Sequence, residues 1–112
     1  MLDALTKQQK RRLRELAALA HERHLARELQ PLADLFDRWR SGQASPFDVS
    51  DAIHRFHQGP SRELFNFYTS SMVELVVGSA VVQGLLSDAE VADVASIIEP
   101  AVALVRERTS PA

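Results

Sequence analysis

A chain of 112 residues is the size of one domain, and 46% apolar with 25% charged residues suits a folded core under an ordinary charged surface. The absence of cysteine excludes disulfides and thiolate metal sites, and a net charge of −2 argues against a general nucleic-acid binder. The start, Met-Leu-Asp-Ala-Leu-Thr-Lys, has no apolar run behind a basic end, and the most apolar segment, Met72 to Leu86, is too short to span a bilayer and carries Glu74 and Gln83, so a cytoplasmic protein is expected.

Charge is unevenly spread. Residues 1–30 carry seven Lys/Arg against four Asp/Glu, or +3, whereas residues 61–112 carry three against seven, or −4. Such asymmetry favours antiparallel docking of the two ends, within one chain or between two.

Thr6 followed by Gln9 forms a capping box, so the first helix starts at Lys7. Helix-forming Leu, Ala, Arg, Glu and Gln continue to Arg40, with Ser41-Gly42 as the stop. Pro31 removes a backbone bond and clashes with the preceding turn, which predicts a kink or break near Leu29 to Leu32. At about 100° per residue, Leu13, Leu16, Ala17 and Ala20 share one face. Leu25, Leu29, Leu32, Phe36 and Trp39 share another, turned by roughly a third of a circle, with His21 and His24 between the two. The two halves of this helical arm therefore pack against different things, and the second face is expected to be a subunit contact.

Ser45-Pro46-Phe47-Asp48 reads as a compact helix start, with Ser as N-cap, Pro at the first position and Asp against the positive end of the dipole. Val49, Ala52, Ile53 and Phe56 line one side of this helix. His57 falls at the edge of that side, while His54 lies nearer the face of Phe47. Gly59 suits a left-handed helix end and Pro60 the first position of a new helix, so an elbow is expected there. Leu64, Phe65 and Tyr68 continue as helix. Thr69-Ser70-Ser71 with Glu74 offers another capping box and a break.

The valines of Met72 to Gln83 also suit a strand, but the flanking caps, the lack of a second strand candidate and the small pair Ala80 and Gly84 favour helix. Gly84 takes the left-handed end position and Leu86 packs back. Ser87 with Glu90 caps the last helix, whose Val91, Val94, Ile98, Ala101, Val102 and Val105 face inward, with a kink at Pro100 and favourable cations at Arg106 and Arg108. Residues 109–112 are expected to fray. These elements predict one all-α domain over residues 1–112, an irregular bundle of about five helices centred on Met72 to Gln83.

Two His-x-x-His pairs, His21/His24 and His54/His57, each place two imidazoles on one helix face, where they could hold a divalent transition metal. Asp51, one turn before His54, adds a carboxylate. Helical bundles build such sites from Glu-x-x-His motifs, and only Asp51-x-x-His54 comes close here. The simpler reading is boundary histidines that pair with carboxylates or face solvent. Lys7, Lys10, Arg11 and Arg14 lie opposite Leu13, Leu16 and Ala20. Cations in the first turns oppose the helix dipole, so they serve an acidic partner or phosphate, or they simply solvate the helix. The Arg14-x6-His21 spacing, known from some small helical ribonucleases, is expected by accident in a chain with this many arginines. No Gly-rich phosphate loop, Gly-x-Ser-x-Gly elbow or Cys nucleophile is present. Trp39, Phe47, Phe56, Phe65, Phe67 and Tyr68 are read as core rather than as stacking platforms.

The segment Ile53-His-Arg-Phe-His-Gln-Gly-Pro-Ser-Arg-Glu-Leu64, with Gly84-Leu-Leu-Ser-Asp-Ala-Glu-Val91 downstream, resembles small all-α bacterial proteins of unknown function. The resemblance implies a bacterial, cytosolic protein and supplies no activity. The expected function is a non-catalytic protein-interaction or regulatory module without a cofactor, paired with itself as a homodimer through Leu25, Leu29, Phe36 and Trp39, with the four basic residues available to a second protein. The alternative is a metal-binding helical protein, or a metalloenzyme, using His21, His24, His54, His57 and Asp51.

Overall fold

The computed structural model describes residues 5–109, which are helical without a strand. Helix α1 spans Lys7–Arg40. It opens on the expected capping box: the Gln9 N–H donates to the Thr6 hydroxyl at 3.0 Å, and the Thr6 N–H donates to the Gln9 side chain at 2.9 Å. Of the kink or break expected at Pro31, the break is absent: α1 runs through the proline. Packing along α2 supports both sides of the proline, and helical stability in a folded chain comes mainly from such tertiary contact.

Helix α2 covers residues 46–70 and is also continuous. Ser45 and Asp48 form a reciprocal capping box around Pro46. The helix then passes from Pro46–Phe56 through a π turn, His57–Ser61, into Arg62–Ser70. The Gly59-Pro60 elbow is therefore a correction: a widened turn absorbs the missing Pro60 N–H, and Gly59 does not take positive φ. The fusion of two expected helices gives four rather than five. Helix α3 is Val73–Val82, and α4 is Ala95–Thr109, entered through a 3₁₀ turn at Ala92–Val94.

Two further caps differ from expectation. The Thr69 and Ser70 hydroxyls donate back to the Phe65 and Asn66 carbonyls, inside their own helix, instead of capping α3, whose N-cap Met72 has no side-chain bond. Ser87 and Glu90 do exchange both capping bonds, at 2.9 and 3.1 Å, but they close a turn, and the helix proper begins only at Ala95. Gly84 behaves as expected. Its φ of 75° lets the Leu85 N–H reach the Ala80 carbonyl at 2.8 Å and end α3. Thr109 remains in α4, its hydroxyl donating to the Val105 carbonyl at 3.0 Å, and residues 110–112 of the expected frayed tail lie outside the described residues.

The core sits at one end of the molecule. Leu13, Leu16 and Ala20 of α1 pack with Val77 and Ala80 of α3, with Leu85, Leu86, Val91 and Val94, and with Ile98 of α4. α3 is central, as its all-round apolar sequence predicts. The acidic C-terminal region docks on the basic N-terminal one inside the same chain. Arg12 donates to Asp93 at 3.0 Å and to the Glu90 carbonyl at 2.9 Å, and Arg23 grips Glu90.

The rest is an arm. Past Leu25 of α1, and throughout α2, only Val49 and Leu64 are buried. The molecule measures 56 × 36 × 25 Å with a radius of gyration of 17.3 Å, where a compact chain of this length would give about 13 Å.

Candidate functional site

The arm is an antiparallel pair formed by the second half of α1 and α2. Two helices give one layer, so apolar residues that do not point at the partner helix have nothing to cover them. Leu25 and Phe36 are half-buried, with Phe36 packed edge-to-face on Trp39 at 6.2 Å between centroids. Leu29 is 39% exposed, Trp39 41%, Ile53 45%, Phe65 61% and Phe47 79%. Trp39, Phe65 and Phe47 correct the reading of every aromatic as core. Phe47 lies on the side of α2 away from Val49, Ala52 and Phe56, one turn from Asp51 and two from His54. Helical spacing alone sets Phe47 with Asp51 and His54 on a polar face, a signal available in the sequence.

The histidines divide into two unlike pairs. His21 and His24 sit where the core meets the arm, and both meet Tyr68. The His21 ring stacks on the Tyr68 ring at 4.5 Å with 6° between planes, and His24 lies edge-on to it at 5.8 Å. His24 Nδ1 also shares a 3.0 Å hydrogen bond with the Tyr68 hydroxyl. Burial pushes the His24 imidazole below its ordinary value and the Tyr68 phenol above its own. The neutral ring is thus favoured, able to accept the phenolic proton at Nδ1. His54, His57 and Asp51 lie exposed on α2. Among the described residues, no three His, Asp or Glu side chains come together as metal ligands would.

Lys7, Lys10, Arg11 and Arg14 are all exposed and make no ion pair among the described residues. The arginines that work in the fold are others: Arg12, Arg23 and Arg27, which donates to the Gln83 carbonyl at 3.3 Å. Sequence reasoning did not single out these three, because their acceptors lie more than fifty residues away.

Among the described helices none is long and apolar enough to cross a membrane. Comparison with protein-family models, with curated proteins and with solved structures finds no match.

Proposed function

We propose that this protein is a non-catalytic interaction module that pairs with itself through the arm. The observation that carries this reading is the arm's one-layer construction, with five large apolar side chains between 39% and 79% exposed over only two buried residues. Exposed apolar surface of this density marks contact sites. A second copy is favoured as the occupant because the arm suits itself electrostatically. Residues 25–70 hold five arginines and six carboxylates, interspersed along both helices for a net charge of −1, so two copies meet without a block of like charge. Two such hairpins related by a two-fold axis complete a four-helix bundle and bury each other's open side.

Lys7, Lys10, Arg11 and Arg14, at the other end of α1, remain available to an acidic partner in this arrangement. A bacterial, cytosolic setting is part of the proposal and rests on the resemblance carried by Ile53–Leu64 and Gly84–Val91.

Sedimentation equilibrium of the untagged protein tests the proposal. A species of twice 12.5 kDa at micromolar concentration is expected. It should be little affected by salt, because the contact is led by apolar groups. Leu29→Glu with Trp39→Glu should return it to the monomer without loss of helicity. A monomeric wild type at those concentrations would overturn it.

A further inference from the structure

At the end of the molecule opposite the arm, the start of α1, the first turn of α3 and one flank of α4 enclose an open cleft of about 630 Å³. Its walls are apolar, formed by Leu5, Met72, Leu75, Ile97, Pro100 and Leu104. Glu74 also lines it and is only 9% exposed. Among the described residues its Oε2 has no hydrogen-bond partner, and it is closed off from bulk solvent. Burying a carboxylate without a donor or counter-charge costs several kcal/mol. None of the arginines that pair in this chain reaches it.

A second acceptor belongs to the α4 side of the cleft. Ser96 and Pro100 both line the cleft, and Pro100 has no N–H to offer the Ser96 carbonyl four residues earlier. The Gln9 side-chain oxygen is not in competition, since it accepts the Thr6 N–H at 2.9 Å. The cleft thus sets a buried, unpartnered carboxylate oxygen among apolar walls.

We propose that this cleft binds a small amphipathic amine, with the ammonium on Glu74 and the apolar group along Met72, Leu75, Ile97 and Leu104. An ammonium supplies three donors and the missing positive charge together. A fatty carboxylate would set like charge against Glu74, and a neutral alcohol would leave the charge uncompensated. The volume falls in the range of small-molecule sites, about 300–1,000 Å³. This site is distinct from the arm, and its occupancy does not depend on self-association.

The test uses n-octylammonium below its micellar concentration, with octanol and octanoate as controls, followed by amide chemical shifts in the full chain. Octylammonium should bind one to one and shift residues 72–75 and 96–104. It should bind at least about tenfold more tightly than octanol, the weight of one charge-assisted hydrogen bond, while octanoate should not bind. Glu74→Gln keeps the shape and should lose that tenfold advantage. Leu104→Trp, at the exposed rim, should block binding without touching the core, and so serves if the first variant folds poorly. Equal affinity for octylammonium and octanol, undiminished binding by both variants, or shifts scattered away from the cleft would each overturn the proposal.

Discussion

Arg23 meets Glu90 through two parallel hydrogen bonds of 2.8 Å, across 67 residues of sequence. The pair ties the middle of α1 to the turn that leads into α4, and Arg23 extends the tie to the Leu85 carbonyl. Glu90 also accepts the Ser87 N–H. The Arg23 hydrogen bond first, and then the Ser87 backbone, bring its carboxyl down from 4.5 to about 2. Because the folded value is the lower one, the stabilisation is complete above pH 4.5 and is lost as pH falls toward 2. Thermal melts should show Glu90→Gln less stable than wild type at neutral pH, with the difference closing as pH falls through that interval. A constant difference down to pH 2 would mean that the ion pair is not its source.

Burial of His24 beside Tyr68 gives a second pH dependence, at higher pH. Burial lowers the folded His24 value beneath the ordinary 6.5, so the unfolded chain takes up the proton first. Stability should be complete above 6.5 and decline as pH drops through the lowered folded value. Proton NMR of the histidine ring signals should find His24 titrating below the ordinary 6.5. Tyr68→Phe removes the phenolic partner and should cost about 0.5–1.5 kcal/mol in chemical denaturation at pH 7.

The glycines and prolines make a graded stability series. Gly59 is helical in backbone and an added Cβ would meet nothing, so Gly59→Ala should stabilise by roughly 0.5–1 kcal/mol. Pro31→Ala should also stabilise, by up to about 3 kcal/mol, since it restores the missing N–H inside α1. Gly84→Ala should destabilise by roughly 1–2 kcal/mol, because its left-handed φ strains a side chain. At Gly78 a Cβ would stand 2.9 Å from the Ala101 Cβ and 3.1 Å from the Val102 nitrogen. Gly78→Ala must therefore push α3 from α4, at a cost of about 1–3 kcal/mol. Urea melts should place Pro31→Ala and Gly59→Ala above wild type, Pro31→Ala the higher, and Gly84→Ala and Gly78→Ala below it.

The same residues explain what could be read from the sequence. Caps formed within three residues were legible at Thr6/Gln9 and Ser45/Asp48, as was the left-handed stop at Gly84, because each depends only on neighbours. The elbow expected at Gly59-Pro60, and the break allowed beside a kink at Pro31, are absent for the same reason: local cost does not include the long contact of α1 along α2. At the arm, the rotated stripe of Leu25, Leu29, Phe36 and Trp39 pointed to a second surface, whereas Phe65 looked like core until the one-layer packing was known. Glu74 passed as a helix cap. A lone carboxylate inside the apolar run from Met72 to Val82 was the available signal for the cleft.

Trp39 is the single tryptophan, it lies on the arm, and it is 41% exposed in the monomer. Its fluorescence therefore reports directly on self-association through that surface. As concentration rises from nanomolar to about a hundred micromolar, the emission should move to shorter wavelength and become shielded from iodide, with Leu29→Glu abolishing both changes. Emission that stays solvent-exposed and fully quenchable across the range would contradict pairing through the arm.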